Sequence, residues 1–120
     1  NLSHHGQDPA KIEELRVIEV AEFRALSGFI SRLKGIEESG RSLLDTTAVL
    51  FGSNLGNASA HNTANLPILL AGGGYKHGRH IAIDPQKHVF SNLFVGLAQR
   101  MGVESDRFGF STGVIDLDQA

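Results

Sequence analysis

"TAVLFGSNLGNASAHNTANLPILLAGGG", residues 47–74, places a small polar loop between two of the most apolar runs in the chain. Thr47-Ala48-Val49-Leu50-Phe51 is apolar, partly β-branched and too short for a helix, so it reads as a buried strand. Leu66-Pro67-Ile68-Leu69-Leu70-Ala71 reads as a second strand, with Pro67 acceptable only at its first positions or at an edge, and Gly72-Gly73-Gly74 stops it. Between the two, residues 51–67 carry no charged side chain and one histidine, His61.

Working outward, Asp8-Pro9 has the form of a helix N-cap followed by proline at the first helical position, where a missing N–H costs nothing. Ile12, Leu15, Ile18, Phe23, Leu26, Ile30 and Leu33 then recur at helical spacing with charges mostly between them, and Gly40 ends the pattern. Gly28 and Gly35 each cost roughly 1 kcal/mol against alanine inside a helix, so the rod bends or ends near Gly35. At ~1.5 Å per residue it is roughly 40–45 Å long, enough to cross a whole sheet. Leu43-Leu44-Asp45 leads into the first strand. On the far side, Val89, Phe90, Leu93, Phe94, Leu97 and Met101 mark an amphipathic helix after Asp84-Pro85, ended by Gly102, and the tail from Phe108 to Ala120 is irregular with one short extended piece.

The order helix, strand, loop, strand, helix defines an α/β chain with a long N-terminal helix, a few-stranded sheet and a second amphipathic helix. Leu50, Leu69, Leu93 and Phe94 are its expected core. With 120 residues, 41% of them hydrophobic, the chain is sized for a single domain, residues 1–120. Two strands are few for a stable sheet, which points to the edge or end of a larger one and to self-association as a symmetric dimer.

The formal charge of -2 gives no footprint for a phosphate backbone, so nucleic acid is not an expected partner. Cysteine is absent, which excludes disulfides and thiolate metal sites. No apolar run approaches the ~20 residues needed to span a bilayer.

In an α/β sheet functional groups collect at strand ends, where this chain has Ser53, Asn54, Asn57 and His61. Neutral imidazole is the commonest side-chain metal ligand, and His4-His5 at the mouth of the long helix supplies a partner for His61. Adjacent histidines seldom face the same ion, so one of His4 and His5 would ligate and the other would not. The alternative is a turn-capping His61 and a solvated histidine pair. Gly72-Gly73-Gly74 with Lys76 and Arg79 also admits an anion-binding reading, and Asn57-Ala58-Ser59 matches a glycosylation triplet, meaningful only in a eukaryotic secretory protein.

The stretch "LLDTTAVLFGSNLGNASAHNTANLPILLAGGG", together with "SHHGQDPAKIEEL", "GRH" and "MGV", resembles the C-terminal core of the alkaline phosphatase-like superfamily, and within it a bacterial family known as a domain of unknown function. The resemblance implies the C-terminal portion of a layered alkaline phosphatase-like fold, from longer proteins that are often exported or periplasmic. It also implies a hydrolase of phosphate or sulfate esters holding divalent metal such as zinc, manganese or calcium. The family's strand-end Asp-His pair falls on Ser53-Asn54, neither an equivalent ligand, while its later histidine falls on His61. The nucleophile belongs to an N-terminal half, so this chain alone is expected to be inactive. The rival expectation is a non-catalytic binding or structural module that keeps the fold.

Overall fold

The computed structural model describes residues 2–118, so the last two residues of the expected irregular tail lie outside it. The chain forms two compact units, residues 1–71 and 72–120.

In the first unit a 3-10 turn, Leu2–His4, precedes helix α1, Pro9–Gly35. Asp8 caps α1 by accepting the Ala10 N–H at 2.9 Å, with Pro9 at the start as the residue types require. The helix stops at Gly35 because Ile36 turns extended and the chain enters a hairpin, β1 (Glu37–Glu38) with β2 (Arg41–Ser42). Its two-residue turn, Ser39-Gly40, has positive φ at both positions, 53° and 77°, the twist that suits a tight hairpin. Gly40 is therefore a turn residue five positions beyond the helix.

Leu43-Leu44-Asp45 does not lead straight into the strand. Leu43–Thr46 forms one helical turn, α2, closed by a capping box in which Ser42 Oγ accepts the Asp45 N–H at 3.2 Å and Asp45 accepts the Ser42 N–H at 3.1 Å. Strand β3, Ala48–Gly52, follows and pairs with β4, Ile68–Gly72. The end of β3 lies beside the start of β4, so the pair is antiparallel: Ser53 N–H donates to Pro67 O at 3.3 Å, and a Cβ on Gly52 would stand 2.4 Å from that same carbonyl. Phe51 meets Phe23 of α1 edge to face, ring centroids 5.4 Å apart. Mixed helix and small two-stranded sheets thus make up the α/β content. No residue of α1 is buried, and Leu69, expected in the core, is 49% exposed, since a two-stranded sheet has no neighbouring strands to shield it. Leu50 is half-buried.

In the second unit the segment after Asp84-Pro85 is a turn held by Asp84, whose carbonyl accepts the Lys87 and His88 N–H groups. The helix anticipated there begins later, as α3, Ser91–Arg100. Gly102 ends it with φ of 79° and its N–H on Gln99 O. Leu93, Val95 and Ile115 form the buried apolar core, with Phe94 half-buried. The tail's described residues, 108–118, form neither helix nor strand, so the expected short extended piece does not appear there, yet the segment is sewn to α3 through Asn92, 1% exposed: Asn92 Oδ1 accepts Thr112 N–H at 2.8 Å and Asn92 O accepts Ile115 N–H at 3.1 Å. A buried amide needs such partners, and the tail's backbone provides them.

Candidate functional site

The loop between β3 and β4 is built from short polar turns. Asn57 and Asn62 form an isolated antiparallel bridge, Asn57 Oδ1 accepts the Ala60 N–H at 3.1 Å, and Asn62 Oδ1 accepts the Ala64 N–H at 2.7 Å. Gly56 is required here because a Cβ would fall 1.9 Å from Ala64 O. His61 closes the turn from Ala58 with φ of 49°, a left-handed conformation costing about 1–2 kcal/mol for a residue with a Cβ. Held that way, its ring reaches the start of the chain.

There it meets His4. The two Nε2 atoms are 2.7 Å apart, with ring planes at 89° and centroids at 4.9 Å. Ser59 ties the loop to the N-terminal segment: its Oγ accepts the Gly6 N–H at 3.2 Å and donates to Ser3 O at 3.5 Å. Ser3 Oγ in turn lies 3.1 Å from His4 Nδ1.

Of the adjacent histidines, His4 is therefore the one placed against His61. His5 is turned back on its own loop, where Nδ1 accepts the Gln7 N–H at 3.1 Å. An accepting Nδ1 leaves the proton of a neutral ring on Nε2, so neither nitrogen of His5 offers a free lone pair in this arrangement. The nearby carboxylate of Asp8 is committed to the α1 cap. Ser53 Oγ accepts the Leu55 N–H at 3.1 Å, a local turn bond, and Asn57 serves its own turn. Asn54 is exposed. Among the described residues no group of three or more His, Asp or Glu side chains converges as a metal cluster.

Across the 2.7 Å contact one Nε2–H donates to the other Nε2. With His4 Nε2 as donor, His61 Nε2 accepts and His4 Nδ1 accepts from the Ser3 hydroxyl. Two histidine ligands about 2.0–2.1 Å from a tetrahedral ion stand about 3.3 Å apart, wider than the 2.7 Å here, so to hold a divalent cation the rings would have to separate and turn both lone pairs to one point. The donor chemistry fits: moving the His4 proton to Nδ1, where Ser3 Oγ can accept it, frees both Nε2 lone pairs without net proton release. A hydroxyl serves both tautomers because it donates and accepts. Two imidazoles without a carboxylate suit copper(II), nickel or zinc better than calcium or manganese. Sequence spacing singled out the histidines but not Ser3 and Ser59, since serine signals little beyond turns.

The glycine turn of the second unit presents acceptors rather than donors to its charged neighbour. Gly72, Gly73 and Gly74 all have positive φ, and the carbonyls of Gly73 and Gly74 accept from the Arg100 guanidinium, at 3.2 Å for Gly73. Arg100 also pairs with Asp118 at 2.8 Å and lies over the Tyr75 ring, its Cζ 4.6 Å from the centroid. Desolvation raises the Tyr75 phenol above its ordinary value, against a smaller lowering by Arg100. His77 Nε2 donates to Gly72 O at 2.9 Å, and Arg79 donates to Lys76 O and Leu117 O. These bonds use the carbonyls of the turn and tie Arg100, His77 and Arg79 to it.

No family model, curated protein or solved structure matches this chain.

Proposed function

We propose that this chain supplies a two-histidine portion of a divalent-metal site, His4 with His61, in a metal-dependent phosphate- or sulfate-ester hydrolase of alkaline phosphatase-like layering. The observation that carries it is the 2.7 Å approach of two Nε2 atoms separated by 57 positions in sequence, backed by a hydroxyl that can serve either tautomer. A surface turn needs no such convergence of ring nitrogens. In this reading the metal would stabilise developing charge on an ester, while nucleophile and remaining ligands come from a region outside this chain. The chain alone is then catalytically inactive. Export is the setting this family reading carries.

Calorimetric titration with zinc, copper(II) and manganese tests it. His4→Ala and His61→Ala should each abolish zinc and copper binding, His5→Ala should leave it unchanged, and the chain should turn over neither a chromogenic phosphate ester nor a sulfate ester. Equal binding by wild type and His61→Ala would refute the ligand pair.

A non-catalytic module is the second reading, favoured by Ser53-Asn54, where the resembled family has a carboxylate and an imidazole. It is separated from the first by an ester screen on the longer protein carrying this segment.

A further inference from the structure

We infer that α1 pairs with the α1 of a second copy of this chain, antiparallel, through the face that the first unit leaves open. At 100° per residue, Leu15, Leu26, Ile30 and Leu33 share one side of α1 and are half-buried. Beside them runs a strip with Ile18, Ala25 and Phe29 at positions i, i+7 and i+11, all exposed, Ile18 at 46% and Phe29 at 50%. The small Ala25 lets another helix approach closely between the two larger side chains.

The charge pattern selects the occupant. Residues 9–22 carry Glu13, Glu14, Glu19 and Glu22 against Lys11 and Arg16, a net charge of -2, whereas residues 23–35 carry Arg24, Arg32 and Lys34 with no carboxylate, +3. The helix dipole favours cations in the last turn, but its influence does not reach Glu19 and Glu22 in mid-helix. Antiparallel pairing sets each acidic half on a basic half, whereas parallel pairing sets like on like. Glu14 and Arg32 are five helical turns apart and so lie on one flank of the strip. A two-fold axis near residues 23 and 24 puts Ile18 over the partner's Phe29 and Glu14 beside the partner's Arg32, each contact made twice. The same axis brings the two Glu22 side chains near one another. A strip this narrow makes a weak, concentration-dependent dimer, with Kd on the order of 100 µM.

Sedimentation equilibrium of the 120-residue chain, from about 10 µM to about 1 mM, tests the proposal. A monomer–dimer equilibrium is expected. Ile18→Glu and Arg32→Glu should each weaken it about tenfold or more while helical circular dichroism is retained. Glu14→Arg combined with Arg32→Glu should restore association, and Glu22→Gln should strengthen it. A chain that stays monomeric throughout overturns the proposal, as does a dimer indifferent to Ile18→Glu and to the charge reversals.

Discussion

Gly96 of α3 lies directly beneath the backbone of Ile115, so close that a Cβ on Gly96 would stand 2.5 Å from the Ile115 carbonyl oxygen. This close approach, together with the Asn92 bonds, fixes a tail whose described residues, 108–118, form no strand or helix. Glycine is needed here for space rather than for an unusual φ.

Gly96→Ala should therefore destabilise the protein, although glycine to alanine inside a helix ordinarily stabilises by about 1 kcal/mol. Gly28 in α1 is the control: nothing lies within 4 Å of its would-be Cβ, so Gly28→Ala should stabilise by about 0.5–1 kcal/mol. Chemical denaturation of both variants reads the opposite signs, and equal signs would contradict the packing of Ile115 on α3.

Replacing the buried Asn92 by alanine should cost about 1–3 kcal/mol, since the Thr112 N–H loses its acceptor and the tail its tie to α3. The loss should appear as reduced amide-exchange protection at Thr112. Full protection there would mean that another group holds the tail.

Tyr75 is the only tyrosine and tryptophan is absent, so ultraviolet absorbance on alkaline titration follows one phenol. Its midpoint should lie above the ordinary value of about 10, because burial disfavours the phenolate. Arg100→Met removes the nearby cation that favours phenolate and should move the midpoint higher still. The folded-state pKa is raised, so the associated stability is complete below the unfolded value and is lost as pH rises through the folded one. A midpoint at or below the ordinary value would contradict the burial.

Zinc at a hundredfold excess over its Kd should stabilise the fold by about 2.7 kcal/mol, provided the unfolded chain does not bind it. The rise in melting temperature should vanish with a chelator and in His4→Ala. It should diminish in Ser59→Ala, which unties the loop from Gly6 and Ser3. Since the His4 tautomer can change with Ser3 as acceptor, the binding enthalpy at neutral or higher pH should vary little with the ionisation enthalpy of the buffer. Release of a full proton per ion would point to a different set of ligands.

Much of the local structure was legible in the residues themselves. Asp8-Pro9 marked the start of α1, the two apolar runs marked β3 and β4, and Gly102 marked the end of α3, because each signal acts within a few residues. Other local signals were present but competed with stronger patterns. Ser42 and Asp45 wrote a capping box into a stretch that reads as a strand approach, and Ser39-Gly40 wrote a hairpin turn where the helical periodicity still ran.

The sequence by itself determined where α1 begins, that the two apolar runs are strands, and that His61 sits in an uncharged loop at a strand end, since periodicity, capping and turn chemistry depend on neighbours along the chain. Only the tertiary structure decided that Leu69 is exposed, that an irregular tail is sewn to α3, and that His4 rather than His5 meets His61. Adjacent histidines have the same composition and nearly the same spacing to position 61. Which one converges depends on loop closure across 57 positions and on the Ser59 bonds that hold the two segments together, and those exist only once the chain has folded.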